Sequence, residues 1–334
     1  MTDPTTLPQQ GGAHTAAHEE HRVSDDTEHT GTADVIAGAG PVGRPGERAT
    51  VRLREGEPEE APRYAPEWLQ LREPADADAR ALGLLEPLAK RLAELPPQEG
   101  GAVIHDLGCG TGSMGRWLAA RLDGAQHWVL HDRDPYLLHF AAVASPQVAA
   151  DGSRVTVETR RGDVARLTPD ALSGASLVTA SALLDVLTRA EVETLAAACA
   201  GAGSPALLTL SVAGRVEFAS ADPLDADLAE AFNAHQRRGG LLGPDAVSAA
   251  GEAFAAHGAT VRVNPSPWRL GPERAALTAQ WLRGWVGAAV EERPALRTRA
   301  EGYLRDRLAA CEAGELEVVV HHSDLLALPR PVEA

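Results

Sequence analysis

Apolar positions along this chain change period several times, and the changes mark out its elements. Trp68, Leu69, Leu71, Ala79, Leu82, Leu85, Leu88 and Leu92 recur at helical spacing until Pro96-Pro97 ends the run. Short apolar runs then alternate with helical patterns. Ala102–Asp106, His127–His131, Val155–Thr159, Ser176–Ala180, Ala206–Val212 and Thr260–Val263 read as strands, with a last one over Glu317–His321. Helices are predicted over Met114–Leu122, Pro135–Ala144, Arg189–Ala200, Asp225–Gln236 and Pro244–Ala256, with two more near Glu273–Glu291 and Ala295–Ala310. Strand and helix in this rhythm make an α/β chain, with a doubly wound, mostly parallel sheet covered on both faces.

Residues 1–62 fall outside that pattern. They are rich in Gly, Pro, Thr, Glu and Asp and poor in large apolar residues, so a disordered acidic tail is expected there. The histidines in it, His14, His18, His21 and His29, read as part of a solvated polar segment, and no metal site is expected. The organisation that follows is a helical lid over 63–98 and a main domain over 99–334, with helical insertions at about 224–256 and 270–312. Three cysteines, Cys109, Cys199 and Cys311, are far apart and odd in number, which fits neither a disulfide framework nor a zinc site. Without a long apolar run or an apolar leader, the expectation is a cytoplasmic protein with no membrane partner. The net charge of -16 disfavours nucleic acid, whose phosphates call for a basic surface. Oligomeric state is silent in the sequence.

The candidate chemistry lies where the first strand ends. Asp106-Leu107-Gly108-Cys109-Gly110-Thr111-Gly112 places three glycines at alternate positions behind an acid. Glycine serves where the backbone turns with φ > 0 and approaches a ligand. A carboxylate at Asp106 repels pyrophosphate but suits a cationic or hydroxyl-bearing group. Ligands of doubly wound sheets sit beyond the carboxyl ends of the strands. There Asp132 ends the second strand, where an acid takes both ribose hydroxyls, and Asp163 follows the third, within reach of an adenine amino group. Three acids at successive strand ends fit a nucleoside ligand without phosphate. A competing pattern overlaps them: Gly110-Thr111-Gly112-Ser113-Met114-Gly115 matches the dinucleotide fingerprint, with Asp132 near the expected offset. That reading, an NAD-binding oxidoreductase, leaves Asp106 and Asp163 without a role.

Asp106–Gly112 resembles motif I of the class I S-adenosylmethionine-dependent methyltransferases, and the likeness extends through Asp132 and Asp163 over roughly 102–212. The resemblance implies a Rossmann-like seven-stranded sheet whose last strand, here Glu317–His321, runs antiparallel. It implies S-adenosylmethionine as cofactor, with Asp106, Gly108, Gly110 and Gly112 around its methionine part, Asp132 on the ribose and Asp163 by the adenine. The segments Phe232–Pro244 and Ser266–Leu270 resemble a bacterial subgroup of these enzymes, a likeness that assigns no substrate; the expected acceptor is a small molecule.

Methyl transfer is an in-line displacement, so the enzyme mainly positions the acceptor and excludes water; a base is needed only where the acceptor carries a proton. His235, on a helix with Gln236, is the candidate base, since histidine titrates near neutrality. The resemblance implies that the segment Ala180–Asp185 after the fourth strand faces the reaction centre, which makes Asp185 a second catalytic candidate and Ser181, with Gln236, a candidate substrate contact; the alternative is that Asp185 only begins the next helix. No Asn/Asp-Pro-Pro-aromatic motif occurs there, which disfavours planar amides as acceptors. Trp68, Tyr64 and Trp268 are candidates for an aromatic lid over the substrate. A non-catalytic cofactor- or partner-binding protein on the same fold is a further alternative, disfavoured by the intact glycine loop and ribose acid.

Overall fold

A computed structural model describes residues 65–95, 98–162 and 168–330. The expected tail, Tyr64, Pro96-Pro97 and Asp163 lie outside the described residues.

Two helices come first, α1 (Pro66–Ala79) and α2 (Leu85–Ala93). Then follow β1 (Ala102–Leu107), α3 (Ser113–Ala119), β2 (Gln126–Asp132), α4 (Pro135–Val143), β3 (Val155–Arg161), β4 (Leu177–Ser181), α5 (Arg189–Ala202) and β5 (Ala206–Phe218). The last third holds α6 (Asp225–Gln236), α7 (Ala246–Ala256), β6 (Thr260–Pro265), β7 (Trp268–Leu270), α8 (Ala275–Glu292), α9 (Arg297–Glu312) and β8 (Val318–Leu328). No described helix is long and apolar enough to cross a membrane.

The strands form one sheet in the order β3-β2-β1-β4-β5-β8-β6. β1 to β5 are parallel, in a register that sets Asp106 beside Leu130 on one side and Thr179 on the other. β8 runs antiparallel between β5 and β6, as the family resemblance implies. The sheet is doubly wound. Leu107, Val178, Leu208 and Leu325 pack under α5 and α7 on one face. Ile104, Trp128, Leu130, Leu177 and Leu207 pack under α2, α3 and α4 on the other. Parallel strands buried on both faces read as short continuous apolar runs, which is why the sequence shows them so clearly.

Three features correct the expected strands. The last strand is not Glu317–His321 but the longer β8, ending at Leu328. An eighth strand, β7, pairs with Val318–Val320 of β8, while β6 pairs with Ser323–Leu328. Three residues are too few to show a period of two, so β7 leaves no pattern in the sequence. Finally, β5 runs on to Phe218, past two register shifts against β8 at Leu208/Ser211 and Val212/Val216. Such bulges bend a strand and sharpen its twist. Past those shifts the far half of β5 stays paired with Val318–Val320 of β8 and packs, through Val216 and Phe218, against Trp281, Trp285 and Tyr303 of α8 and α9.

Candidate active site

All three glycines of the loop adopt the left-handed conformation, with φ of 61° at Gly108, 55° at Gly110 and 84° at Gly112. Any side chain there costs roughly 1–2 kcal/mol in backbone strain alone. Space is short as well. A Cβ on Gly108 would lie 3.1 Å from Leu183 Cδ1, and one on Gly110 3.2 Å from Leu69 Cδ1 of α1. Asp132 pins the loop: its Oδ2 accepts from the Gly110 amide and its Oδ1 from the Asp134 amide, both at 2.9 Å. Asp134 in turn caps α4 by accepting from the Tyr136 amide. Burial pushes the Asp132 carboxyl up, and the two amide bonds pull it down.

Asp106 is 1% exposed. Its Oδ1 accepts from Thr179 Oγ1 at 2.8 Å, and its Oδ2 has no partner among the described residues. Burial pushes its carboxyl up to about 7, against the Thr179 hydroxyl and the Arg80 and Arg116 guanidiniums, with Asp132 adding to the rise. Cys109, in the same loop, is a buried thiol whose pKa burial pushes well above the ordinary value, which disfavours the thiolate form.

The loop opens into a cleft that also takes in the ends of β4 and β5. Ala182 and Leu210 both line it, and both hold positive φ, 52° and 58°. Strain of this kind persists only where surroundings over-determine it. For Leu210 the determinant is Asp324 of β8, whose Oδ1 accepts the Leu210 amide at 2.8 Å. Helix α1 covers the cleft, contributing Trp68, Leu69, Arg72 and Asp76 to its lining. Arg72 bonds Asp76 at 2.9 Å and lies 4.9 Å over the Trp268 ring, whose Nε1 donates to Asp76 Oδ1 at 2.9 Å. Glu73 pairs with Arg116, which also donates to the Thr111 carbonyl, so α1 is tied to the glycine loop.

The far wall is aromatic. Trp281 and Trp285 stack at 5.4 Å and 18°, beside Phe232 and Val216. Set among them are His235, Gln236, Asp185 and His322. His235 is buried, with Nδ1 3.8 Å from Glu291 Oε2, and Arg238 holds Glu291 at 2.7 Å. Asp185 Oδ1 and Gln236 Oε1 are buried without a hydrogen-bond partner among the described residues. Burial pushes the Asp185 carboxyl up, and it pushes His322 down to about 3, so that ring is neutral.

One cleft therefore brings together Asp106, Gly108, Gly110, Asp132, Trp68, Ser181, Asp185, His235, Gln236 and Trp268. Gly112 is not in its lining; it turns the chain into α3, with Ala141 3.2 Å from where its Cβ would stand. Asp163 lies outside the described residues. Sequence reasoning missed Arg72, Asp76, Arg80, Trp281, Trp285 and Asp324. Only Arg72 and Asp76 left a local signal, the i,i+4 spacing of an ion pair. Among the described residues no group of three or more His, Cys, Asp and Glu is placed to hold a metal ion. The dinucleotide reading fares worse than in the sequence. The dinucleotide fold runs its strands 3-2-1-4-5-6, without an antiparallel strand between the fifth and sixth. Gly115, the third glycine of that fingerprint, has ordinary room for a side chain, 3.6 Å from Trp128.

A family model described as a methyltransferase domain matches residues 104–206. Solved structures give distant likenesses. The cyclopropane synthase MmaA2 from Mycobacterium tuberculosis is 14% identical, with 79% of this chain and 94% of that chain covered at a TM-score of 0.43. A SAM-dependent methyltransferase from Geobacter sulfurreducens, in complex with S-adenosyl-L-homocysteine, is 16% identical over 80% and 99% of the two chains, at 0.40. A phosphoethanolamine N-methyltransferase 2 from Haemonchus contortus is 14% identical over 80% and 58%, also at 0.40. No curated protein matches the chain. The matched stretch runs from β1 to the start of β5 and contains Asp106, the glycine loop, Asp132, Ser181 and Asp185. Residues 104–206 accordingly match a methyltransferase domain, as the motif at Asp106–Gly112 implies.

Proposed function

We propose that this enzyme transfers the methyl group of S-adenosylmethionine to a small-molecule acceptor held between α1, β5, α6 and α8. One observation carries the cofactor reading: the buried, unpartnered Oδ2 of Asp106 beside left-handed Gly108 and Gly110. An acid there repels a pyrophosphate and complements an ammonium or sulfonium. Asp132, already holding the loop through two amides, keeps further lone pairs for ribose hydroxyls. When bound, the cofactor supplies a methyl group activated by its sulfonium, so the protein's work is positioning and the exclusion of water.

The residues around the cleft divide that work. Trp68, Trp268, Trp281 and Trp285 wall it with apolar surface, which favours an acceptor with an apolar or aromatic body over a nucleic acid. Gln236 Oε1 and Asp185 Oδ1, both buried acceptors without partners, suit an acceptor that carries N–H or O–H donors. Asp185, whose carboxyl burial raises above its ordinary value, and His235 are the cleft's candidates to take the acceptor's proton. The test is calorimetric. S-Adenosylhomocysteine is expected to give heat with the wild type and NADH none; heat with NADH alone would reverse the reading. Labelled cofactor incubated with a metabolite extract then identifies the acceptor by the mass of the labelled product.

A further inference from the structure

His235 lies in the last turn of α6, is 3% exposed and lines the cleft. From α8, Glu291 brings its Oε2 to 3.8 Å from His235 Nδ1. That oxygen is buried and has no hydrogen-bond partner among the described residues. The other oxygen, Oε1, accepts from Arg238 Nη1 at 2.7 Å, and Arg238 Nε bonds Glu292. Arg238 follows α6 directly, so its guanidinium fastens that turn to the end of α8 and holds Glu291 beside the ring. The two helices are already packed together, with Leu228 and Ala231 of α6 and Trp285 and Ala289 of α8 in one buried cluster.

The partner of one imidazole nitrogen sets the state of the other. A carboxylate only accepts, so a ring that turns Nδ1 towards Glu291 carries its proton there and keeps the lone pair on Nε2. The 3.8 Å gap is longer than a hydrogen bond, and contacts of this kind often tighten once the ligands bind. We infer that Glu291 is a positioning residue that fixes His235 as an Nε2 base, and that the acceptor this base serves is an acidic hydroxyl, of the phenol or enol kind. The inference rests on the methyl-transfer reading above and chooses His235 over Asp185, because His235 has a charged group aligned behind it. A neutral amine attacks through its own lone pair and sheds its proton afterwards, so it needs no base in advance. An aliphatic hydroxyl is too weak an acid for an imidazole to deprotonate. In the transfer the acceptor's O–H bond breaks and its proton passes to Nε2. The oxygen's electron pair forms the new bond to the methyl carbon, and the pair of the broken C–S bond stays on sulfur. The imidazolium left behind faces Glu291 until its proton goes to solvent. The charged groups on the elements that meet here are Glu291 and Glu292 of α8, Arg238 after α6 and, across the cleft, Asp185.

Imidazole nitrogen resonances of the full-length protein, isotope-labelled at its histidines and saturated with S-adenosylhomocysteine, read both the tautomer and the proton affinity of His235. The signal that disappears in His235→Gln assigns the ring. The wild type is expected to hold one neutral tautomer, with the proton on Nδ1. Glu291→Gln keeps an oxygen in place but removes the charge, and is expected to lower the ring's proton affinity about tenfold. With labelled cofactor and a metabolite extract, the methyl group is expected on a phenol or enol oxygen. Glu291→Gln should slow that product about tenfold at neutral pH, with the cofactor KM unchanged. A wild-type ring with its proton on Nε2, an unchanged proton affinity in Glu291→Gln, or a product methylated on nitrogen, sulfur or carbon would each overturn the inference. The ring spectra are read equally well without ligand, so a wild type that neither binds S-adenosylhomocysteine nor labels any product would instead overturn the methyl-transfer reading beneath it.

Discussion

The two ends of the cleft are built by opposite means. The cofactor end is made of backbone and neighbours in sequence: Asp106, three glycines within the next six residues, and Asp132 one strand away, clamped to Gly110. The proposed acceptor end is made of side chains from five distant elements, α1, β5, α6, α8 and β8, which meet where β5 runs on past its two register shifts against β8. The first is specified by where glycine is tolerated, the second by which aromatic rings happen to pack. The contrast makes a physical claim: damage at one end should leave the other largely intact.

The hardest blow to that claim falls on the aromatic wall. Trp285 is 1% exposed and stacked on Trp281. Trp285→Ala is expected to lower the unfolding free energy by about 3–5 kcal/mol in a urea titration. Its affinity for S-adenosylhomocysteine should nonetheless stay within about twofold at temperatures where the variant is folded. If cofactor affinity collapsed along with stability, the two ends would be one unit and the contrast would be false.

The reciprocal cut is at Asp132. Removing its carboxylate strips two charge-assisted hydrogen bonds, worth about 1.5–3 kcal/mol each, from the Gly110 and Asp134 amides. Asp132→Ala is expected to weaken S-adenosylhomocysteine about a hundredfold or more while the near-ultraviolet signal of the tryptophan wall is unchanged. Asp132→Asn, whose single amide oxygen serves only one of the two N–H groups, should fall between. Wild-type affinity in Asp132→Ala would show that the acid merely ends a strand.

How much of each end was legible in the sequence follows from the same contrast. Asp106, Gly108, Gly110 and Asp132 were readable because a left-handed turn allows almost no residue but glycine, and because strand ends are marked by short apolar runs. The role of Asp132 as the clamp of the loop was not readable, since nothing in sequence tells which amides an acid will face. Trp281 and Trp285 sit four apart in a long helix and read as ordinary core. Arg80 and Asp324 are 244 positions apart, and their convergence depends on β8 being inserted beside β5. Bulges at Leu210 and Gly214, which set the acceptor wall, are properties of pairing register and leave no period in the chain.

A smaller effect sharpens the electrostatics of the cofactor end. The Asp106 carboxyl is raised from 3.8 to about 7, chiefly by burial. The folded protein therefore holds one proton more than the unfolded chain between those values, and stability from this group is present at low pH and lost as pH rises through about 7. The groups around Asp106 are Thr179 on β4, Asp132 on β2, Arg116 on α3 and Arg80 after α1. A cationic ligand needs the carboxylate, so S-adenosylhomocysteine affinity should climb by up to about tenfold per pH unit below about 7 and level off above it. In Asp106→Asn that rise should vanish, and the ligand-free variant should gain stability relative to the wild type on going from about pH 5 to about pH 8. A wild-type affinity flat across that range would mean the ligand does not touch this carboxylate.

The smallest expected change decides between the two fingerprints that overlap in the loop. In a dinucleotide fold the third glycine of the pattern is there for close helix–strand packing. Here that residue is Gly115, inside α3, and a Cβ on it meets Trp128 at an ordinary 3.6 Å. Gly112, three residues earlier, has φ of 84° and Ala141 3.2 Å from its Cβ position. The two glycines should therefore respond in opposite directions to the same added methyl group. Gly115→Ala is expected to raise stability by up to about 1 kcal/mol through helix propensity, with S-adenosylhomocysteine affinity unchanged. Gly112→Ala carries the left-handed penalty of about 1–2 kcal/mol and is expected to weaken the ligand by distorting the turn into α3. A Gly115→Ala variant that lost cofactor binding as badly as Gly112→Ala would mean that the helix behind the loop, and not the loop's own backbone, sets the site.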